Sequence, residues 1–269
     1  MLGATAFSAH AQYQFPNSTF DEAFISSYGS FTEPRGWHGY ATIDASTLNS
    51  AGRTGDKLQQ FDGRNAAAGK CVGVHSTAIL GVVANGVLTN GQIYTHSTKA
   101  TDGKENYNFS DPSNENNNKS TYGQNNQFFT PFVGRPDAVK VWVKFAPANS
   151  GTGNARASLI LHKADTKMYD PEDNVTDPSI VVARAAATIP ACDWTQLTIP
   201  FNYVNTAAPG LILATFTTNE TPGKGSENDY LYVDDIEMVY VSEMLNPTYG
   251  GSALSFDENG IASVDAIYN

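Results

Sequence analysis

The sequence predicts an all-β protein, and three observations point there. Short apolar runs rich in Val, Ile, Thr and aromatic residues recur along the chain, bounded by Gly, Pro or Asn, which indicates a sandwich or a barrel. One run, Ala138–Phe145, alternates strictly: Val139, Val141, Val143 and Phe145 point one way, Lys140, Trp142 and Lys144 the other. That is the pattern of a half-buried strand in a two-layer antiparallel β-sandwich. No long segment keeps apolar residues at i, i+3, i+4 and i+7 between helix caps. Only 16% of the 269 residues are charged, a balance that suits short strands and polar loops better than long surface helices.

Taken in order, residues 1–11 read as the end of a secretory signal peptide, with Ala9-His10-Ala11 as a small-x-small cleavage site. The expected strands are Thr19–Phe24, Lys70–Val74, Ile79–Val83, Ala138–Phe145, Ala155–His162, Ile180–Ala187, Thr195–Phe201, Leu211–Thr217 and Tyr230–Val241. Ala183–Ala187 admits a helical turn, but the β-branched residues before it favour a strand. Thr101–Asn126, with Asn114-Glu-Asn-Asn-Asn and Gln124-Asn-Asn, lacks the apolar side chains that offset ordering entropy and is expected to be a long surface loop. Asp165–Asp177 is a second polar loop whose acids lack the EF-hand spacing and are expected to be solvated.

The last expected strand carries two adjacent acids, Asp234 and Asp235, inside an apolar run. Strict alternation places Tyr232, Asp234, Ile236, Met238 and Tyr240 on one face. A carboxylate among apolar neighbours costs several kcal/mol unless it is paired. A bound cation, loop amides, or a Lys or Arg partner would each satisfy it.

A net charge of −11 excludes the basic stripe that nucleic acid requires, and it disfavours anionic membranes. No apolar run reaches 18 residues, so no transmembrane segment is expected. Cys71 and Cys192 are compatible with one disulfide or with two separate thiols. No Gly-x-Ser-x-Gly, His-Glu-x-x-His or phosphate-binding Gly loop is present, and the five histidines are scattered. No catalytic residue is expected from these patterns.

Four stretches carry a resemblance to a known family. They are Gly36-Trp37; Phe132 to Pro147 (Phe-Val-Gly-Arg-Pro-Asp-Ala-Val-Lys-Val-Trp-Val-Lys-Phe-Ala-Pro); Trp194 to Tyr203 (Trp-Thr-Gln-Leu-Thr-Ile-Pro-Phe-Asn-Tyr); and Gly225–Tyr240. Together, over residues 17 to 243, they resemble the putative carbohydrate metabolism domain (PCMD) family. The resemblance implies a jelly-roll, galactose-binding-like sandwich over residues 12–243, in a secreted, periplasmic or cell-surface protein of glycan-harvesting bacteria. It supplies no catalytic residue. Residues 244–269 then read as a linker and the beginning of a truncated C-terminal sorting-type segment.

Under that resemblance the expected role is a non-catalytic carbohydrate-binding module for glycan capture. The rivals are a glycoside hydrolase-like enzyme and an adhesive module that meets cell-surface protein partners. Trp142 is the leading ligand candidate, because an indole on the lysine face offers a flat surface to a sugar ring, with Lys140 and Lys144 to bond hydroxyls. Packing beneath a loop is the alternative for Trp142. Trp37 and Tyr94 are further ligand candidates, although Trp37 suits a core cap equally well. Trp194 is expected to seal a sandwich end. Related glycan-binding jelly rolls hold a structural Ca2+ between first and last strands, which here selects Glu22 and Asp234.

Overall fold

The computed structural model describes residues 13–45, 52–53, 58–79, 81–151, 153–171 and 178–240, with the backbone of two short strands, Ser255–Phe256 and Ala262–Ser263. The chain divides into two units, Met1–Val239 and Tyr240–Asn269. In the second, the two short strands pair antiparallel. The leader expected at residues 1–11 lies outside the described residues, as does 244–269 apart from those strands. Among the described residues, no helix is long and apolar enough to cross a membrane.

The first unit is a two-layer antiparallel β-sandwich of the jelly-roll, galactose-binding-like type. Its front sheet runs in the order Cys192–Pro200, Ala138–Ala146, Tyr230–Val239, Lys70–His75, Gln59–Asp62. The back sheet runs Thr130–Pro131, Leu211–Thr217, Ala155–His162, Val181–Ile189, Asn202–Tyr203, and Val87–Thr89 also pairs with Leu211–Thr217. After Ala138–Ala146 the chain crosses to the back sheet for two strands and returns for Cys192–Pro200. It then crosses again before closing with Tyr230–Val239 at the centre of the front sheet.

Side-chain alternation explains the layers. Val139, Val141, Val143 and Phe145 are buried, while Lys140, Trp142 and Lys144 are half-exposed on the opposite face. Val72, Val74, Leu231 and Val233 join the inner row. Across the sandwich, Leu159, Leu161, Ile212 and Phe216 are fully buried. Each such side chain contributes about 1.5–3 kcal/mol on burial. The back sheet is buried on its outer face as well, because a small sheet of Gln92–Thr95, Asn106–Ser110 and Met168–Asp170 lies there. Met168 packs with Ile160, Val181 and Leu213. This is why Leu211–Thr217 is buried at every position and shows no alternation. Among the described residues, no such sheet covers the outer face of the front sheet.

Three expectations change. Thr19–Phe24 is not a strand; Asn17 and Phe20 adopt positive φ (48° and 56°), which breaks extended backbone. Instead, Ser18 and Gln14 bond the part of Tyr230–Val239 that lies beyond its pairing with Lys70–His75: Ile236 N–H donates to Ser18 O (3.0 Å) and Met238 N–H to Gln14 Oε1 (2.7 Å). Ile79–Val83 is two strands, Thr77–Ile79 and Val82–Ala84, of one hairpin. Asp170, expected in a solvated loop, is buried and accepts two bonds from Arg156 (2.5 and 3.1 Å).

The asparagine-rich tract is also ordered, and its polar side chains are the reason. It contains a strand, Asn106–Ser110, and its amides bond backbone and each other. Asn114 and Asn116 both donate to Gln92 Oε1 (2.8 and 3.0 Å), and Asn117 Oδ1 accepts from Phe128 N–H (3.0 Å). Buried Asn125 accepts from Gly36 N–H (2.8 Å) and donates to Pro34 O (3.1 Å) and Trp37 O (2.9 Å). Asn125→Ala leaves those three backbone groups without their partner and is expected to cost about 3 kcal/mol. The measurable result is a melting temperature lower by roughly 6–12 °C. A change within 2 °C, on the order of ordinary surface substitutions, would contradict this role.

Candidate functional site

The outer face of the front sheet carries a strip of aromatic rings. Register places Trp142 opposite Gln196 on one side and Asp234 on the other, and Lys144 opposite Tyr232. Tyr232 in turn lies opposite Gly73, and Tyr230 opposite His75. The rings of Tyr230 and Tyr232 stack at 6.0 Å between centroids, with planes 16° apart. Trp194 tilts against Tyr232 at 6.2 Å, and Phe61 meets it edge-on at 5.2 Å. His75 continues the strip, 4.8 Å from Tyr230. All six rings, Trp142 included, are partly exposed.

Gly73 permits this arrangement. A Cβ at that position would lie 2.5 Å from Phe61 Cε2 and 3.1 Å from Tyr232 Cδ1. Without it, the two rings close over the strand.

A β-bulge sets which side chains reach the face. Lys140 pairs with Glu237, yet Trp142 pairs with Asp234, so Asp235 and Ile236 together oppose Val141. Asp235 takes the left-handed conformation (φ 46°) that the extra residue requires, and aspartate tolerates it better than most residues. Strict alternation therefore fails here. Tyr232 and Asp234 lie on the outer face with Trp142, while Ile236 and Met238 turn into the core.

Arg64 explains the paired acids. Its guanidinium donates to Asp234 Oδ2 (2.9 Å) and Asp235 Oδ2 (2.6 Å), and its Cζ sits 4.5 Å from the Trp142 ring centre. This guanidinium thus bridges the two acids of the bulge and covers one face of the indole. Asp234 is 0% exposed, and its Oδ1 has no hydrogen-bond partner among the described residues. Burial, with Asp235 beside it, pushes the Asp234 carboxyl up to about 7, although Arg64 pulls the other way. A fully buried carboxyl cannot reach a glycosidic oxygen, so this raised value reflects packing.

The expected site residues separate into groups. Trp142, Lys140 and Lys144 do share the outer face, and Lys144 Nζ pairs with Asp193 (2.9 Å). Hydrogen bonding to that carboxylate raises the Lys144 pKa. Trp142 is capped by the Arg64 side chain, where an open indole or a covering loop was expected. Trp37 is corrected from ligand candidate to core: it is 0% exposed, stacked on Phe15 at 4.9 Å and packed against Phe20 and Phe216. Tyr94 lies elsewhere, stacked between His96 (3.9 Å) and Tyr107 (4.6 Å) on the small sheet.

Glu22 and Asp234, expected to share a calcium ion, have different partners: Glu22 is exposed and faces Arg35 at 3.8 Å, and Asp234 is held by Arg64. Among the described residues, no group of three or more His, Cys, Asp or Glu is placed to hold a metal ion. Both cysteines are free thiols; burial and the Asp234 charge push Cys71 up to about 12, which leaves it unreactive at neutral pH. Trp194, expected to seal a sandwich end, belongs to the strip, and Tyr230, Tyr232, Phe61, His75, Gln196 and Arg64 were not foreseen. The Asp-Asp doublet was the available signal, since an acid pair inside an apolar strand marks a bulge and with it a change of phase.

No family model matches the chain, and no curated protein matches it. Solved structures do. The chain is similar to a protein of Bacteroides thetaiotaomicron VPI-5482 described as a putative glycoside hydrolase, with 17% identity, a TM-score of 0.50, and coverage of 83% of this chain and 72% of that one. The likeness is one of fold. Weaker likenesses are to CBM28, a carbohydrate-binding module specific for non-crystalline cellulose (9% identity, TM-score 0.39, 81% of this chain and 100% of that one). Another is to the xylan-binding CBM22-1 domain of Paenibacillus barcinonensis Xyn10C (11% identity, TM-score 0.33, 81% and 94%).

Proposed function

We propose that this protein is a secreted or cell-surface, non-catalytic carbohydrate-binding module of the PCMD type, and that the outer face of the front sheet is its binding surface. The observation that carries this reading is the strip of Tyr230, Tyr232 and Trp194, partly exposed on a sheet face that no other sheet covers among the described residues. Flat rings present an electron-rich surface to the C–H face of a pyranose, and the surrounding polar groups bond its hydroxyls. Here those groups are Gln196, Thr198, Lys140, Lys144 and the rim of Arg64. A broad, shallow strip suits an extended glycan chain better than a single enclosed sugar. An open face excludes little water, so affinity is expected between micromolar and millimolar, about −8 to −4 kcal/mol.

Affinity electrophoresis against soluble polysaccharides, xylan and cellulose derivatives among them, tests the reading. The wild type is expected to be retarded by at least one glycan, and Tyr232→Ala to weaken that retardation about tenfold or more, a loss of about 1.4 kcal/mol. Tyr94→Ala is expected to bind the glycan as the wild type does. Absence of retardation by every glycan would remove the proposal's support. Release of reducing sugar from a retained glycan would replace it with the hydrolase reading, and binding only to a co-exported protein with the adhesive one.

A further inference from the structure

Among the described residues, short strands stand at three ends of the two main sheets: Gln59–Asp62, Thr130–Pro131 and Asn202–Tyr203. Gln59–Asp62 is blunted further by the Asp62–Lys70 ion pair (2.7 Å) and by Gln60, whose amide donates to Phe20 O and Glu22 O. Short length and charge keep a sheet edge from pairing with another chain. The fourth end, Cys192–Pro200, lacks both protections. It is nine residues long, and from Trp194 to Ile199 it carries no charge, Gly or Pro.

A bulge at Asp193 and Trp194 precedes the regular part of this edge, since Phe145 pairs with Cys192 but Val143 with Thr195. From Thr195 to Ile199 the ladder to Ala138–Ala146 is continuous. Among the described residues the strand pairs with no other, so the N–H and C=O groups on its far side are unpaired. Thr195, Gln196 and Thr198 are exposed. Leu197 lies opposite Val141 on the inner row, yet it is only half-buried. One more strand would complete that row.

We propose that a second copy of this chain supplies it: the two edges pair antiparallel about a two-fold axis perpendicular to the sheet, with Leu197 on the axis. In this register Leu197 meets its own mate on the inner row, and Thr195 lies opposite Ile199. On the outer face Gln196 lies opposite Thr198, amide against hydroxyl. Each pair is one that stabilises a ladder. No like charges meet. The nearest acid, Asp193, is held by Lys144 (2.9 Å) and lies about 26 Å along the strand from its mate, beyond a screening length of about 10 Å. A charged peptide finds no counter-charge on this segment, whereas the segment matches itself. The contact is small, so a Kd of roughly 10–100 µM is expected. The association is independent of the glycan reading, and it sets two aromatic strips on one continuous sheet face.

Sedimentation velocity on the intact chain between about 5 and 500 µM reads the association, and the mass is expected to rise toward that of two chains. Disulfide trapping reads the register. In a Cys192→Ser background, Leu197→Cys sets two thiols opposite each other at a Cα separation of about 4.5–5.5 Å, within disulfide reach, and mild oxidation is expected to trap a dimer. Thr195→Cys, about 13 Å from its mate along the strand, is expected to stay monomeric. Gln196→Lys combined with Thr198→Lys opposes like charges in two exposed pairs and is expected to weaken association about tenfold, with melting of the monomer unchanged. Mixing it with Gln196→Glu combined with Thr198→Glu restores the dimer. These charged variants decide the question should Leu197→Cys fail to fold. A monomer at every concentration overturns the proposal. So does a dimer that survives the lysines, or one that Thr195→Cys traps as well as Leu197→Cys.

Discussion

Arg64→Ala is expected to destabilise the protein by about 3 kcal/mol at pH 8, the effect of leaving a buried carboxylate without its cation. Arg64 is the partner of both acids of the bulge, and Asp234 is fully buried. The melting temperature should fall by roughly 6–12 °C. The loss is expected to shrink at pH 5.5, because Asp234, already raised to about 7 by burial, is then protonated and needs no counter-charge. Urea unfolding at the two pH values checks this. An equal loss at both would show that Arg64 does not act through the charge of Asp234.

The second large effect is a cancellation that single variants should expose. Burial raises the folded-state pKa of Asp234 to about 7, above its ordinary value of 3.8. Between pH 4 and 7 the folded state therefore holds a proton that the unfolded chain has lost, and stability falls as pH rises. His162 does the opposite. It is fully buried, with Nδ1 2.9 Å from Thr166 Oγ1, and burial lowers it from 6.5 to about 4. Between pH 4 and 6.5 the unfolded chain holds the extra proton, and stability rises with pH.

The two slopes oppose one another over the same window, so the wild type should be nearly flat from pH 4.5 to 6.5. Asp234→Asn removes the falling slope, and its stability should rise by about 2 kcal/mol across that window. His162→Asn should fall by a similar amount. Parallel profiles for the wild type and Asp234→Asn would contradict the assignment.

Much of the fold was legible because alternation is a direct consequence of the pleat. Val139, Val141, Val143 and Phe145 are in the core as the pattern predicts, and the strand Ala155–His162 has the predicted bounds. Legibility ended where a residue left extended backbone. Positive φ at Asp235 shifts the phase of the last strand, so Tyr232 faces out while Ile236 faces in, and the site's central ring was assigned to the wrong company. Positive φ at Phe20 removed an expected strand in the same way.

The asparagine tract failed for a different reason. Composition counts apolar side chains, whereas Asn116, Asn117 and Asn125 order their segment through amide bonds to backbone and to Gln92. Within the site, Trp142, Lys140 and Lys144 could be read from one strand. Tyr232, Phe61 and Arg64 come from elements far apart in the chain, and only strand register brings them to it.

The binding face is tested most directly by the three indole N–H signals, because the fold distributes the tryptophans unequally. Trp37 is sealed in the core, Trp194 lies on the aromatic strip, and Trp142 sits beside it beneath Arg64. Two-dimensional NMR of the 15N-labelled protein, titrated with the glycan that retards it most, is expected to shift Trp194 strongly and Trp142 to a lesser degree, with Trp37 unmoved. Shifts confined to Trp37, or to Tyr94 and its neighbours with Trp194 silent, would place the glycan elsewhere and contradict the account.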